Sequence, residues 1–461
     1  MPIAADPTNP TSAPESNPSF VLIQIDPAVD PKTIDARLQA FVKGGAGTLL
    51  FPLDDGWFAI SRGPGKEMRV TQGGTNDALV SFLAGLSGII GVALVPADEL
   101  LRRYQARETH LHSPAAPPAT PAQLWNLTAV RAHEAWAKFG GWDKINWGSI
   151  RVGHLDTGYT EHPAFGPWSS GRSPSLLPQE GANFFDDSPG PADPLPTNGT
   201  PGHGTRTCSV LSGFSAADAF FGVAPRVPVV PYRVTDFVVI DTLWFRNRLG
   251  LAIDHAVANA GCSVLSISLG DPCFATPEMG AAVDRAYERG VIIVAAAGNY
   301  TSEVTYPGRY SRVIAAGGIA ENDEPWNGGS RGVSVAVSAP ADLIWRADWN
   351  RAADGSLASV YGNQSGGSNA NGTSYATVHV SGAAALWRAH HGHGLDIYAA
   401  RPWQVVEAFR TAVRSSARRP AKWNDKLFGA GILDIEALLD TPLPDPASLV
   451  FQSRLAERER T

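Results

Sequence analysis

The sequence predicts an α/β protein in which a mostly parallel sheet, covered by helices, follows a small α+β domain. Beyond residue 122, short and continuously apolar segments alternate with segments of helical spacing. Such runs are typical of parallel strands, because helices cover those strands on both faces. The region before residue 105 instead has the order β-α-β-β-α-β, which indicates a ferredoxin-like domain.

The small α+β domain is predicted to span residues 19–104. Its strands show alternating apolar residues, and an Asp-Asp-Gly turn at 54–56 indicates that two of them form a hairpin. The predicted strands cover 20–25, 48–53, 57–61 and 89–95, and the predicted helices cover 31–43 and 77–86.

The large domain is predicted to span residues 122–440. Its strands are predicted at 150–155, 227–234, 263–267, 291–295, 313–316 and 333–337, and helices at 243–260, 277–289 and 374–390. In a parallel sheet of this kind, reactive groups collect at strand ends and helix starts.

Three further segments complete the predicted organisation. Residues 1–18 are rich in Pro, Ser and Asn and are expected to be a disordered tail. Residues 105–121 form a proline-rich linker, which marks a domain boundary. Residues 441–461 are expected to be a C-terminal tail with a solvated face or a frayed helix.

Composition excludes several classes of function. The 461 residues carry a net charge of −7, so the chain lacks the basic footprint of a nucleic-acid-binding protein or a polybasic membrane patch. Three cysteines with no paired spacing argue against a disulfide framework or a zinc site, and Cys208 is expected to be buried. The uncharged stretch 78–97 contains glycines and ends near a proline, which predicts a helix and a buried strand rather than a membrane span.

The N-terminal residues contain no basic segment followed by an apolar one. We therefore expect a cytoplasmic protein, with secretion as the alternative if translation starts upstream.

Two polar motifs follow the first strand of the large domain. Asp156 leaves this strand into a Thr-Gly turn, where its carboxylate is placed to orient a histidine or, alternatively, to bond its own backbone. His203 stands between Gly202 and Gly204 near the start of a predicted helix. Its glycine neighbours leave room for other groups and favour a working role, although a lone histidine is commonly structural.

Two more motifs complete the set. Asn299 follows the buried strand V-I-I-V-A-A-A-G, where it is either a turn residue or an amide donor for an oxyanion. Ser374 lies at a helix start, where serine is either a cap or a nucleophile beside the free backbone N–H groups. The order Asp, His, Ser is one known arrangement of the serine triad on an α/β scaffold.

Together these motifs resemble the subtilisin-family serine proteases (subtilases). The matching segments are D-T-G at 156–158, H-G-T at 203–205, S-L-G at 268–270, A-A-G-N at 296–299 and G-T-S-Y-A at 372–376. The resemblance covers about residues 122–440 and implies a three-layer subtilisin-like domain. It also implies a serine endopeptidase in which Asp156, His203 and Ser374 form the catalytic triad and Asn299 binds the oxyanion.

The resemblance implies how a substrate binds. An extended peptide would pair with the backbone of Ser268, Leu269 and Gly270, while Ala296, Ala297 and Gly298 would form a wall of the pocket. The small side chains of this wall predict a pocket open to fairly large apolar groups.

The small N-terminal domain resembles the subtilase propeptide, which acts as intramolecular chaperone and inhibitor. The chain is therefore expected to be an autoinhibited zymogen. An independent interaction domain of the same topology is the alternative. For the whole chain, the alternative function is a non-catalytic or permanently autoinhibited protein that binds peptides.

The chain departs from the subtilase pattern in places. Arg206 stands where relatives usually carry a second histidine, and Tyr375 and Val378 replace Met and Pro of the pattern G-T-S-M-A-x-P. Residues 355–371, rich in Gly, Ser and Asn, are expected to form a flexible lip.

No cofactor is expected to be required, and no metal site is predicted. The acidic loop with Asp186, Asp187 and Asp193 is either a calcium site, which is frequent in the family, or a solvated loop. His390, His391 and His393 are expected to mark a polar helix end rather than a metal site.

Overall fold

The computed structural model describes residues 124–454 except 187, 196–199, 216–217, 240–242, 272–275, 302, 352–356 and 366–367. Of the N-terminal part it describes residues 19–26, 28–29, 34, 48–52, 57–62, 83, 85–87 and 89–96. The chain divides into two compact units, Met1–Leu100 and Leu101–Thr461. The predicted linker 105–121 lies outside the described residues.

The N-terminal unit contains a four-stranded antiparallel sheet with the order β2-β3-β1-β4. Its strands are β1 (Ser19–Ile25), β2 (Thr48–Pro52), β3 (Trp57–Arg62) and β4 (Ile89–Pro96). Ile34 and Leu83, which come from the two predicted helices, are helical and pack with Ile23 and Ile25 in a buried cluster. This is the ferredoxin-like arrangement that the sequence predicts, although most residues of both helices lie outside the described ones.

The second unit is built on a seven-stranded parallel sheet with the order β13-β12-β11-β10-β5-β9-β6. Its strands are β5 (Val152–Asp156), β6 (Ala182–Asn183), β9 (Val229–Arg233), β10 (Val264–Ile267), β11 (Ile292–Ala296), β12 (Ile314–Ile319) and β13 (Val335–Pro340). Nearly all of these strands are buried along their whole length, as expected for a sheet covered by helices on both faces.

In the described part of the second unit, three short antiparallel ribbons lie outside the main sheet. They are β7 (Phe214–Ser215) with β8 (Phe220–Phe221), β14 (Arg346–Arg351) with β15 (Leu357–Gly362), and β16 (Gln364–Ser365) with β17 (Ser368–Asn369). The expectation of a flexible lip over 355–371 was wrong for β15, because each of its residues pairs with a residue of β14.

The α-helices of the second unit precede, separate and follow its strands. They are α1 (Trp125–Ala129), α2 (Ala132–Ala137), α3 (His203–Ser212), α4 (Leu243–Ala258), α5 (Pro277–Glu288), α6 (Thr373–His391), α7 (Trp403–Ser415), α8 (Asp425–Phe428) and α9 (Ile435–Asp440). Short 3₁₀ helices cover Trp142–Lys144, Pro163–Phe165, Pro178–Glu180, Gly392–Tyr398 and Pro446–Ser448. No helix among the described residues is long and apolar enough to cross a membrane.

Helix α6 lies at the centre of the unit and places its first turn at the sheet edge. It is buried from Thr373 to Trp387 and packs against β10, β11, β12 and β13. Gly382 lets the segment after β8 approach α6 closely, since a Cβ on Gly382 would overlap Val223. The burial leaves the N-terminus of α6 beside the carboxyl ends of β10 and β11.

The C-terminal segment is packed rather than frayed. Tyr398 donates from its hydroxyl to Pro444 O at 2.7 Å, and Arg312 donates from Nε to Gln452 O at 2.9 Å. The frayed-helix alternative was therefore wrong for residues 441–454, because their backbone carbonyls accept hydrogen bonds from the large domain, whereas many of their side chains are solvent-exposed, as expected for a solvated face.

Candidate active site

Asp156 and His203 meet at the carboxyl edge of the parallel sheet. Asp156 is the last residue of β5, and His203 is the first residue of α3. The distance from His203 Nδ1 to Asp156 Oδ1 is 2.6 Å, and neither side chain is exposed. This short contact between a ring nitrogen and a carboxylate is a charge-assisted hydrogen bond whenever the imidazole is protonated.

The environment of Asp156 favours its ionised form. Burial alone would raise the pKa of this carboxyl, but the charge of His203 and the hydrogen bond from its ring hold the pKa below the usual value. The Thr157 amide also donates to Oδ1 at 2.7 Å. His154 lies on the same face of β5, with Nε2 4.0 Å from Asp156 Oδ2, and burial lowers its pKa to about 4. His154 is therefore neutral at neutral pH.

The start of α3 is fixed by a second carboxylate, Asp193. Its Oδ2 accepts from Gly202 N at 2.8 Å and from the Thr157 hydroxyl at 2.9 Å, and that hydroxyl accepts from Gly204 N at 3.1 Å. Thr157 and Asp193 thus bind backbone donors on both sides of His203. Gly204 is required here, because a Cβ at this position would overlap the carbonyl of Gly158.

Asn299 is placed at the start of α6. Its Oδ1 accepts from Thr373 N and from Thr373 Oγ1, both at 2.9 Å, so the amide oxygen caps the helix. The Thr373 backbone N–H can only donate, which identifies the accepting atom as oxygen and turns the Nδ2 group to the other side. A Cβ built on Gly372 would lie 3.6 Å from Asn299 Nδ2 and 3.7 Å from Ser374 N. Two N–H donors therefore flank one point next to Ser374.

Ser374 is the second residue of α6 and is held by the segment after β10. Its hydroxyl donates to Ser268 O at 3.2 Å, and the Ser268 hydroxyl donates to Ser374 O at 3.0 Å. The side chain is nearly buried, with 4% of its surface exposed. The structure thus brings Ser374 to Ser268 and Asn299, while Asp156 and His203 form a separate bonded pair on β5 and α3.

A narrow cleft adjoins Ser374. Its lining includes Val238, Val239, Ser268, Leu269 and Gly270. The two segments are bonded to each other, because the Gly270 amide donates to Val238 O at 3.0 Å. Backbone groups therefore line the cleft, as a surface that pairs with an extended peptide requires.

The walls of this cleft differ from the predicted pocket. Ala296 and Gly298 line it, but Ala297 points away and packs in the core with Val304, because successive residues of an extended segment face opposite sides. Thr305 fills space between the glycines, since a Cβ on Gly298 would lie 2.6 Å from Thr305 Cγ2. The expectation of a pocket open to large apolar groups stays a prediction.

The other reactive groups take structural positions. Cys208 is buried in the core, and burial raises its thiol pKa to about 12, so it does not supply a thiolate nucleophile. Among the described residues, no three His, Cys, Asp or Glu side chains come together as a metal site. Asp186 accepts from Asn183 Nδ2 at 2.7 Å and from Ser188 N at 2.9 Å, whereas Asp187 lies outside the described residues.

Several residues at the site are not among those the sequence predicts. His154 could have been found from its position two residues before Asp156, because alternate strand residues share a face. Asp193 was predicted only as a possible calcium ligand. Nothing in the sequence signals the position of Thr305, or of Val238 and Val239, because each depends on a distant segment.

Comparison with known proteins agrees with this architecture. Residues 148–431 match the Peptidase_S8 subtilase family. The chain is 28% identical to Subtilisin BL of Lederbergia lenta over 68% of this chain and 97% of that protein. It is 29% identical to the Major intracellular serine protease of Bacillus subtilis (strain 168) over 68% of this chain and 87% of that protein.

Solved structures show the same fold. The alignment with the crystal structure of MycP1 from Mycobacterium smegmatis has a TM-score of 0.55 and spans 75% of this chain and 93% of the MycP1 chain. At 23% identity this likeness concerns the fold alone. The match to the family extends over more than half of the sequence, and the chain belongs to the subtilase family of serine peptidases.

Proposed function

We propose that this chain is a serine endopeptidase with Asp156, His203 and Ser374 as its catalytic triad. The observation that carries the proposal is the 2.6 Å contact between His203 Nδ1 and a fully buried Asp156 carboxylate. A carboxylate in this position holds the imidazole in the tautomer whose Nε2 accepts a proton, and it stabilises the imidazolium that follows.

The proposed reaction begins at Ser374. Its hydroxyl turns from Ser268 O to His203 Nε2 and loses its proton there, while Oγ forms a bond to the substrate carbonyl carbon. His203 then gives that proton to the leaving amine as the peptide C–N bond breaks. Water hydrolyses the resulting ester by the same transfers and restores the Ser374 hydroxyl.

Asn299 is proposed to stabilise the negative oxygen of the tetrahedral intermediate. Its Nδ2 and the backbone N–H of Ser374 flank one point at the start of α6, where the helix dipole favours negative charge. The substrate is proposed to be an extended peptide that pairs with residues 268–270. Such a peptide replaces the present bond from Gly270 N to Val238 O.

A covalent fluorophosphonate probe tests the proposed nucleophile. We expect the wild-type chain to be labelled, after removal of its N-terminal unit if that unit blocks access, and Ser374→Ala to remain unlabelled. The variant keeps the Ser268 hydroxyl bond to the residue 374 carbonyl, so the fold should be unchanged. An unlabelled, folded wild-type large domain would contradict the proposal and favour a non-catalytic peptide-binding protein.

The N-terminal unit is proposed to act as inhibitor and chaperone of the large domain, so that the chain is made as a zymogen. Its ferredoxin-like sheet and its place before the large domain support this role. Mass spectrometry of the purified chain should find a new N-terminus between about residues 105 and 125, and Ser374→Ala should stay uncut. A wild-type chain that is active but uncut would instead favour a permanent regulatory domain.

Two further expectations remain proposals. Catalysis is proposed to need no cofactor, so activity and thermal stability should persist in excess chelator. A fall in both on chelation would favour a calcium site involving the loop that contains Asp187. A cytoplasmic location also stays a prediction.

A further inference from the structure

One buried histidine that the proposed reaction does not use lies directly behind the Asp156–His203 pair. His154 precedes Asp156 by two residues on β5, so both side chains point to the same face of the strand. It is 1% exposed, and burial lowers its pKa to about 4. A polar ring in such a place needs a polar partner, because it loses its hydration when the chain folds.

The partner of His154 is Thr207, which lies one turn after His203 on α3. Thr207 Oγ1 is 3.1 Å from His154 Nε2 and 3.4 Å from Asp156 Oδ2. It is also 3.0 Å from His203 O and 3.2 Å from Gly204 O, two carbonyls of the preceding helical turn. One hydroxyl therefore lies between the buried histidine, the carboxylate and the backbone of the helix that begins at His203.

These neighbours indicate which atoms carry the protons. Thr207 has a single hydroxyl proton, and its shortest acceptor contact is the His203 carbonyl, a common partner for a threonine four residues later in a helix. His154 Nε2 then carries the ring proton and donates to Thr207 Oγ1, since two acceptors cannot form a hydrogen bond. The charge of Asp156 favours the same tautomer, because it would repel a ring lone pair.

The two oxygens of Asp156 are held differently. Oδ1 lies 2.6 Å from His203 Nδ1 and accepts from the Thr157 amide at 2.7 Å. Among the described residues, the polar groups that face Oδ2 are Thr207 Oγ1 at 3.4 Å and His154 Nε2 at 4.0 Å. The distance from Nε2 is too long for a hydrogen bond, but the positive end of its N–H dipole still stabilises the anion where the dielectric is low.

Stability alone does not account for a histidine at this place. The other residues of β5 before Asp156 are apolar or glycine, as expected for a strand buried on both faces. An apolar side chain at position 154 would fill the space beside Oδ2 without the cost of burying an imidazole. A positioning role explains the residue, since a carboxylate held at one oxygen can turn about its Cβ–Cγ bond, and small displacements of reacting groups cost large factors in rate.

We propose that His154 is a positioning residue for peptide hydrolysis. Fixed by Thr207, its Nε2–H group holds the Oδ2 side of Asp156. Oδ1 then stays ionised and aligned with Nδ1 of His203 while the imidazole gains and loses its second proton. The inference rests on the proposed function, because it assigns His154 a role in the reaction of Asp156 and His203.

Paired variants at the two positions test the proposal. His154→Leu removes the N–H group and keeps an apolar side chain, whereas His154→Gln returns an N–H group near the place of Nε2. Thr207→Val removes the hydroxyl at nearly constant volume, whereas Thr207→Ser keeps it. His379→Leu is the matched control, because this histidine is as deeply buried, lies on α6 and donates from Nδ1 to the Tyr375 carbonyl at 2.7 Å.

The measurements are kcat per fluorophosphonate-labelled site, KM for a chromogenic peptide, and the midpoint of thermal unfolding. We expect His154→Leu and Thr207→Val each to lower kcat about tenfold and to leave KM within about twofold, since the groups that bind substrate are unchanged. His154→Gln and Thr207→Ser should each lose only about threefold, because each restores a hydrogen-bonding group.

The double variant and the control sharpen this comparison. His154→Leu/Thr207→Val should lose little more than the weaker of the two single variants, because both substitutions act on the same carboxylate oxygen. His379→Leu should lower the midpoint of thermal unfolding and keep the kcat of wild type.

Three results overturn the inference. One is a labelled His154→Leu or Thr207→Val enzyme whose kcat per site equals that of wild type, which would make the contact merely structural. Another is a His154→Gln enzyme that loses as much as His154→Leu. The third is a set of losses that follows the midpoints of thermal unfolding, with His379→Leu included. If His154→Leu fails to fold, the two Thr207 variants decide the matter by the same criteria.

Failure of the proposed function would be seen separately. A wild-type chain that is not labelled overturns that function, and the inference with it. A labelled wild-type chain with unaffected variants overturns the inference alone.

Discussion

The two halves of the candidate site are held by different forces. Asp156 and His203 are joined side chain to side chain by a 2.6 Å contact in a fully buried place. Asn299 and Ser374 are held by the start of α6, where the amide oxygen of Asn299 caps Thr373 N at 2.9 Å. The first half therefore depends on charge and protonation, and the second on helix geometry.

This difference separates what each substitution should reveal. Changes in the Asp–His half should act on the protonation state and on pH dependence. Changes in the Asn–Ser half should act on helix stability, transition-state binding and pocket shape. Four predictions follow this division, from the largest expected effect to the smallest.

Asp156→Asn should lower kcat by about 10⁴-fold while the protein remains folded. The amide of the new asparagine donates a hydrogen bond to His203 Nδ1, or repels a proton on that atom, so the ring proton moves to Nε2. In that tautomer Nε2 cannot accept the proton of the Ser374 hydroxyl. Steady-state kinetics with a chromogenic peptide checks the loss, and circular dichroism checks the fold. A variant that keeps a tenth of wild-type activity would show that charge does not govern this half.

Asn299→Asp and Asn299→Ala should separate the two roles of Asn299. Both remove the amide donor, so both should lose about 10²–10³ in kcat, the range known for removing one oxyanion donor. Only alanine also removes the cap on α6, so only alanine should lower the free energy of unfolding by about 1 kcal/mol. Urea unfolding measures that difference, and equal stability of the two variants would contradict the capping role.

His154 should make the Asp–His half sensitive to acid. Its folded pKa of about 4 lies below the ordinary 6.5, so the unfolded chain binds the proton first. The contribution of neutral His154 to the free energy of unfolding is thus fully present above pH 6.5. It is lost as the pH falls towards 4, by about 3 kcal/mol. His154→Gln should remove that share, as measured by urea unfolding at several pH values.

His379 on α6 gives the matched comparison for this pH effect. Burial lowers its pKa to about 4 as well, and it lies 2.7 Å from Tyr375 O through Nδ1. His379→Gln should also reduce the loss of unfolding free energy at acid pH. It should leave the pH dependence of kcat unchanged, because His379 does not face Asp156. Equal effects of both variants on kcat would remove the distinction between the halves.

Thr305→Ala should widen the cleft beside Ser374. Thr305 Cγ2 occupies the space that a side chain on Gly298 would need. Removing this methyl group therefore enlarges the cleft at the wall opposite Gly270. We expect kcat/KM for peptides with larger apolar residues before the cleaved bond to rise about tenfold relative to small ones. Thr301→Ala, on the same loop but outside the cleft lining, serves as control. An unchanged preference would assign specificity to another wall.

The sequence was informative where chemistry sits at the end of a strand or the start of a helix. Asp156 and Asn299 follow buried apolar runs, and Ser374 begins a helical run, so local pattern was enough to place them at one edge of a parallel sheet. Their motif order then predicted the family, which the comparison confirms. Local pattern also predicted six of the seven strands of the main sheet to within a few residues, and it missed β6.

The remaining features depend on pairs that no local pattern specifies. Arg206 was visible as a departure, but its partner Asp348 lies 142 residues further along the chain. Thr305 reaches the cleft only because its loop folds back against Gly270 and Gly298. The β14–β15 hairpin was missed because a Gly- and Ser-rich segment does not reveal the strand with which it pairs.

The parallel order of the sheet has a consequence for how the protein folds. Strand β5 pairs with β9 and β10, and among the described residues the completed sheet and the central helix bring together the segments that bear Asp156 and Ser374. Contacts between residues so distant in sequence form slowly, because loop-closure entropy is lost before they stabilise the chain. We therefore expect the proposed catalytic groups to assemble late in folding, so that a partly folded chain does not cut itself.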